Sequence, residues 1–562
     1  NIVFPVSKSL ETKGYYESGG AGAGKYTIKT ETEALADGDI LDTYGNHQLA
    51  SGNWAILQRV GVVCISQYGA VAGAESHINI QASVNANIGS IITIPPLEYL
   101  VNETIEMTEG ATIRGTGLSS VFKTDLSIRL FASNDLDYTA FEFFKIDGQG
   151  NGLLDSGQIQ INGCTSFLCD SVFLFNGGTI NEANPKGVNG ISVATNTFPT
   201  GNKCRGHIRN CRFVNFTKAP INWTTFAEEG TITGCTFLNC VGNGQTPAIQ
   251  VNGGKDFAVS NNIINGTEGA GVLITAVGTS PALEGKNVTI TGNIFKNIGN
   301  LGANSAAGYA VNISDGQSTD VMANFTVTGN ILEECYGGLV RAFNSKDITI
   351  EGNIATSTTG GLDIQNCQRV VVNGNSFIDF NNRAVTNQSA YFLINTTSVN
   401  IKDNIVEQPT NDTKGYLLGA NSGNNTDLTL NDKLSSDLLG LMLNSNFVFF
   451  QNSNLRFTRI EDINASSNQT MQIIGIPNGS VFSMSCKLKA VGLTADSYQS
   501  HEGYARASSG VATLQGSAYS LDLKNGITTG LFFDVTGNNL RLRYLNSSTE
   551  TLKANYEVEL EL

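Results

Sequence analysis

The side chains best suited to acid–base chemistry lie between residues 312 and 392: the carboxyls of Asp315, Glu333, Glu334, Asp363 and Asp379, the guanidinium of Arg341 and the amide of Asn312. Two carboxyl groups flanking one bond, one protonated and one ionised, can hydrolyse an acetal. A separation of about 5–5.5 Å suits a nucleophile, and about 6.5–9.5 Å leaves room for water. The protonated partner needs a buried or crowded acidic setting. His47, His77, His207 and His501 are scattered, so neither a metal site nor a histidine-based triad is expected. No cysteine pair has metal-ligand spacing, and no cofactor is expected.

What must position these groups is a repeat. SFLCDSVF (166–173), HIRNCRF (207–213), ITGCTF (232–237), FAVSNNII (257–264), VTITGNIF (288–295), FTVTGNIL (325–332), ITIEGNIA (348–355), VVVNGNSF (370–377) and VNIKDNIV (399–406) share one pattern. Each has alternating apolar residues, a small polar break and another apolar pair. Aligning the break on Asp170, Cys211, Cys235, Asn262, Asn293, Asn330, Asn353, Asn375 and Asn404 gives steps of 22 to 41 residues. The shortest steps are the length of one coil, and the longer ones carry inserted loops. Val288 and Ile290 point one way and Thr289 and Thr291 the other, the period-2 mark of a strand. One such coil cannot bury its own apolar face, but a column of coils can. The expectation is an all-β fold built on a parallel β-helix. Asn293, Asn330, Asn353 and Asn375 would form an internal amide ladder, and Phe213, Phe237, Phe295 and Phe377 an aromatic stack.

Counting back from each coil's first apolar residue sets the register of the preceding strand. The outward column then reads Gln250, Leu273, Asn312, Arg341, Asp363, Phe392, so Arg341 and Asp363 are stacked neighbours. A second column holds Asn297, Glu334, Ser357 and Asp379, with Glu333 beside it, and the insertion 296–324 with Asp315 and Asp320 would wall the groove. Coils stack about 4.8 Å apart, so acids on one face meet the two-carboxylate geometry without special arrangement. On this reading Glu334 or Asp315 works with Asp363 as acid and base or nucleophile. Arg341 holds a substrate hydroxyl or carboxylate, Asn312 and Glu333 line the groove, and Asp379 is a reserve acid. The plainer alternatives are a surface ion pair for Arg341–Asp363, worth about 0–1 kcal/mol, and solvated turn acids at 333–334. Glu228–Glu229 beside Trp223 is a weaker constellation, two acids and an aromatic platform for a ring, against a turn before the strand at 231.

The chain has 562 residues with 62 Gly, 10 Pro and 15% charged residues, a composition of strands and tight turns. Its net charge of −15, with no basic stripe, argues against a nucleic-acid partner. No leader is read at the N-terminus and no run of 18 apolar residues occurs, so membrane insertion is not expected. The ten cysteines are spread out and read as reduced, buried thiols. Residues 1–60 read as a small β neck or cap, 61–430 as the β-helix, and 431–562, with longer alternating strands, as a β-sandwich-like domain.

VGVVCISQYGAVAG (60–73) followed by ASVNANIGSIITIPPLEYLVNETIEMTEGATIRGTG (82–117) resembles the start of the β-helix in bacteriophage tailspike proteins, through ITIPPLEYLV and ATIRGTG above all. The preceding GYYESGGAGAGKY is similar to the neck of many phage tail proteins. The resemblance implies a pectate-lyase-like right-handed helix and a homotrimer. It also implies attachment to the phage tail or baseplate by the N-terminal side, on a virion assembled in the host cytoplasm. The implied activity is binding and endo-glycosidic cleavage of a bacterial surface polysaccharide, O-antigen or capsule. Two rivals stay open: a polysaccharide lyase on the same fold, with Arg341 near Tyr336 and with or without Ca²⁺, and a non-enzymatic adhesin.

Overall fold

The structure, a computed structural model, describes residues 5–12, 24–37, 46–58, 62–124, 128–148, 157–178, 189–194, 204–224, 227–241, 246–276, 285–299, 308–315, 322–380 and 389–407, and beyond these the strands between 416 and 561. It divides into two compact units, residues 1–269 with 278–283, and residues 270–277 with 284–562.

Unit 1 begins with a small antiparallel sheet of Ser9–Glu11, Lys25–Lys29, Trp54–Leu57 and His47–Gln48. The helix Glu31–Ala36, closed by a Thr30–Glu33 capping box, buries Ala34 with Trp54 and Ile56. Parallel pairing starts at Val62–Cys64 on Ile91–Thr93, with the helix His77–Ala86 between them. It continues through Thr112–Arg114, Tyr138–Glu142, Ser166–Asp170, Arg205–Arg209, Thr231–Thr233 and Lys255–Ser260. Along this stack Phe141, Cys169, Ile208, Ile232 and Val259 lie in register and are buried, while Glu142, Asp170, Arg209, Thr233 and Ser260 take the outward position. The interior residue after each corner is Val172, then Cys211, Cys235 and Asn262. Asp170 pairs with Arg209 on the outer face, so it is not the first member of the break column as expected.

In unit 2 each coil has three strands. The first strands are Gly285–Thr291, Met322–Thr328, Ser345–Glu351, Gln368–Asn373 and Thr397–Val406, with Val288, Phe325, Ile348, Val370 and Val399 stacked inside. Gly292, Gly329, Gly352 and Gly374 follow with φ between 61 and 65°, a turn that glycine makes at little steric cost. The next residue is the expected ladder. Asn293, Asn330, Asn353 and Asn375 each donate from Nδ2 to Oδ1 of the following amide, at 3.0, 2.9, 2.8 and 2.9 Å, ending on Asn404. Each is at most 1% exposed, so the ladder satisfies donors and acceptors that burial would otherwise leave costly.

The equivalent corner of unit 1 is less regular: Phe143, Ser171, Asn210, Gly234 and Asn261 carry φ of 57, 55, 55, 65 and 55°. A bulky side chain in that left-handed region costs about 1–2 kcal/mol. The aromatic stack is broken. Phe213 and Phe237 do stack at 4.9 Å within unit 1, but in unit 2 Leu332 and Ala355 separate Phe295 from Phe377.

Parallel pairing runs past the expected break at 430. Tyr416–Ala420 lies on Leu439–Leu443, and Thr426–Leu434 on Asn454–Ile463. Only then do strands turn antiparallel, Asn454–Ile463 against Leu552–Glu561, Val481–Val491 against Asp496–Ser508, and Ile527–Thr536 against Asn539–Asn546. The nine cysteines described are free thiols, eight of them buried. No helix among the described residues is long and apolar enough to cross a membrane.

Candidate active site

The third strands of unit 2 are Val272–Ala276, Val311–Asp315, Val340–Phe343, Leu362–Gln365 and Ser389–Ile394. Alternation sends Val340, Ala342, Leu362 and Ile364 inward, so the residues between them face out. The outward column is Leu273, Asn312, Arg341, Asp363, Phe392, in the order the sequence predicts.

Arg341 and Asp363 are its polar centre. Arg341 Nε donates to Asp363 Oδ2 at 3.1 Å, and its guanidinium lies over the Phe343 ring, 4.4 Å from the centroid. Gln365 Nε2 donates to the other carboxyl oxygen, Oδ1, at 2.7 Å. The Asp363 side chain is only 12% exposed. Burial pushes its carboxyl above the usual value, against the lowering by Gln365 and Arg341. Tyr309, partly buried before the strand Val311–Asp315, feels both ions. Burial, then the Asp363 charge, pushes its phenol well above the ordinary range, with Arg341 opposing. Tyr309 therefore keeps its proton near neutral pH. Asn312, next to Arg341 in the column, has a buried Oδ1 that accepts no hydrogen bond among the described residues.

The remaining predicted residues stand elsewhere in the coil. Glu334 and Asp379 occupy the corner after the second strand, with φ of 57 and 56°, together with Asn297 and Ser357. Ser357 Oγ donates to Asp379 Oδ2 at 2.6 Å, and Glu334 is exposed, its backbone N–H on Thr356. Glu333, in register with Lys296, forms an ion pair with it and is half exposed. Asp315 ends its strand opposite Ala276, and Asp320 lies outside the described residues. The structure thus brings Asn312, Arg341 and Asp363 into one column and sets Glu334 with Asp379 in another.

Trp223 corrects the expectation of a ring platform. It is fully buried between Phe167 and Phe257, each 5.1 Å away, because it is an inward residue of Ile221–Trp223. Glu228 and Glu229 pair with Lys255 and Arg205 at 3.2 and 3.1 Å. Sequence reasoning missed Gln365, Phe343 and Tyr309. The first two were within reach, since each lies two residues along a strand from Asp363 or Arg341 and so shares its face. Among the described residues no cluster of His, Cys, Asp and Glu could hold a metal ion.

Residues 284–432 match the family described as the right handed beta helix region. No curated protein matches the chain. Among solved structures it is similar to the A-module of mannuronan C-5 epimerase AlgE6 from Azotobacter vinelandii, at 13% identity and TM-score 0.46, covering 70% of this chain and 97% of that one. It is similar to the tailspike protein of Acinetobacter phage vB_ApiP_P1, at 11% identity and TM-score 0.43, covering 99% and 96%. A third is the catalytic unit of the GH87 alpha-1,3-glucanase of Streptomyces thermodiastaticus, at 14% identity and TM-score 0.42, covering 69% and 68%.

Proposed function

We propose that the chain binds and cleaves a bacterial surface polysaccharide, O-antigen or capsule, by endo-glycosidic hydrolysis. The observation that carries this reading is Asp363: a carboxyl raised by burial, held from both sides, on the outward face of stacked coils. Such a group can keep its proton long enough to give it to the departing sugar oxygen. Arg341 and Tyr309 offer donors to the sugar bound there, and Asn312 Oδ1 an acceptor for a hydroxyl. Glu334 or Asp315 is the ionised partner that activates water or attacks the anomeric carbon, and Glu333 and Asp379 line the approach. No cofactor is required.

The resemblance of ITIPPLEYLV and ATIRGTG to phage tailspikes supports the biological setting. In that setting the chain is a homotrimer on a virion, held to the phage tail through its N-terminal side. The test is incubation of the full chain with a panel of purified O-antigens and capsular polysaccharides, followed by size analysis of the products. Shortened saturated chains are expected, abolished in Asp363→Asn and in one of Glu334→Gln or Asp315→Asn. Unsaturated uronate ends would replace hydrolysis with elimination, and glycan binding without shortening would make the chain an adhesin.

A further inference from the structure

On unit 1, four consecutive coils carry charges in the order Arg114, Glu142, Asp170, Arg209 on one outward column. At about 4.8 Å per coil, the row spans about 14 Å. Arg114 Nε donates to Glu142 Oε2 at 2.6 Å, and Arg209 Nε to Asp170 Oδ2 at 2.8 Å. Ser171 Oγ and Asn210 Nδ2 complete Asp170 at 3.0 and 3.2 Å. The two acids are nearly buried, while the arginines are 41% and 49% exposed. Such pairs alone would serve coil stacking.

Phe143 does not fit that explanation. It follows Glu142 at the corner where the neighbouring coils place Ser171, Asn210 and Gly234, it holds the left-handed backbone at φ 57°, and the residue is 42% exposed. No described ring packs against it. Strain of this kind persists where something other than stability retains it. Tyr138, on the same strand, 38% exposed and four residues from Glu142, shares its face, and its phenol is raised by burial and then by Glu142, with Arg209 and Arg114 opposing.

We propose that this face of unit 1 is a second carbohydrate-contact surface, on which Phe143 stacks a sugar ring and Tyr138, Arg114, Glu142, Asp170 and Arg209 hydrogen-bond its hydroxyls. The two cations are cancelled by the two anions, and two acceptors stand between two donors, so the matching ligand is an uncharged stretch of hexoses rather than a polyanion. The inference rests on the glycan reading above, not on its catalytic step.

The test is affinity electrophoresis of the full chain through gels holding purified neutral or uronate-containing bacterial polysaccharides. Phe143→Asn puts in the residue that the coil of Asn210 uses at this corner. It should bind the neutral glycan about 3- to 10-fold more weakly, with salt making little difference, while its melting temperature does not fall. Tyr138→Phe should give a smaller loss. Measured in both the wild-type and Asp363→Asn chains, the same loss is expected, so a failure of the catalytic assignment leaves this result readable. Unchanged binding by Phe143→Asn, or a melting temperature that falls with binding, overturns the proposal. If the wild-type chain is retarded by no glycan, the glycan reading falls with it.

Discussion

Two arginine–aspartate pairs of unit 2 each bridge adjacent coils across 22 residues, yet they sit in opposite electrostatic settings. Arg341 reaches Asp363 with one 3.1 Å bond, and the side chains are 23% and 12% exposed. Arg369 grips Asp347 with two bonds, of 2.5 and 2.8 Å, at 53% and 34% exposure. Burial raises the Asp363 carboxyl, whereas the Arg369 hydrogen bond lowers that of Asp347. The ions are the same and the difference is water. At the outer pair, solvent screens both charges and the ion pair decides the sign. At the inner pair, desolvation exceeds what one arginine returns. An ion pair across coils is therefore no guide to function until the exposure of its acid is known.

The sharpest way to break this comparison is to remove each acid. Asp363→Asn should lower the rate of glycan cleavage by about 10²- to 10⁴-fold, the range for loss of a proton donor, while Asp347→Asn should leave it unchanged. Equal effects on product formation by the two variants would refute the assignment. The next largest effect lies on the inner side of the coil between them. Asn353 accepts from the backbone and side chain of Asn330 and donates to Asn375. Asn353→Ala strands several buried partners and should cost about 3–5 kcal/mol. Cys235→Ala, at the equivalent place in unit 1, should cost about 1–2 kcal/mol, both read from denaturation midpoints.

The fold and half of the site were legible in the sequence because unit 2 repeats strictly. Gly-Asn at each corner marked the ladder, and counting back from the first apolar residue of the next coil placed Asn312, Arg341 and Asp363 in one column. Where the interior position is filled by Val172, Cys211 or Cys235, no amide fixes the register, and Asp170 was placed inside when it faces out. Trp223 failed for a related reason: three residues, Ile221–Trp223, are too few for alternation to tell the buried side from the exposed one. Tyr309 was out of reach altogether. It precedes its strand, and only the packed coil brings it to a carboxylate 54 residues further on (363 − 309).

A smaller effect separates the two arginines by pH. Arg341 lowers the Asp363 carboxyl through charge and hydrogen bond, so Arg341→Gln leaves desolvation less opposed and the carboxyl rises further. If Asp363 is the proton donor, the alkaline limb of the activity profile moves to higher pH in Arg341→Gln, and Arg369→Ala leaves it in place. A downward shift would mean that Asp363 acts in its ionised form.

The smallest effect is on stability at the outer pair. Asp347 is depressed in the fold, so its pairing contributes above the unfolded carboxylate value and is lost as pH falls through the folded one. Arg369→Ala should therefore cost only about 0–1 kcal/mol near neutral pH, and that difference should vanish in acid. Asp363 has the reverse sign. Its raised carboxyl favours the fold when protonated, and this contribution is lost as pH rises through its folded value. Denaturation midpoints of wild type and Arg369→Ala across the acidic range should converge as pH drops. Asp363→Asn should flatten the opposing slope at somewhat higher pH. Parallel curves for all three chains would mean that neither carboxyl is shifted by its surroundings, and the contrast between the pairs would have no physical basis.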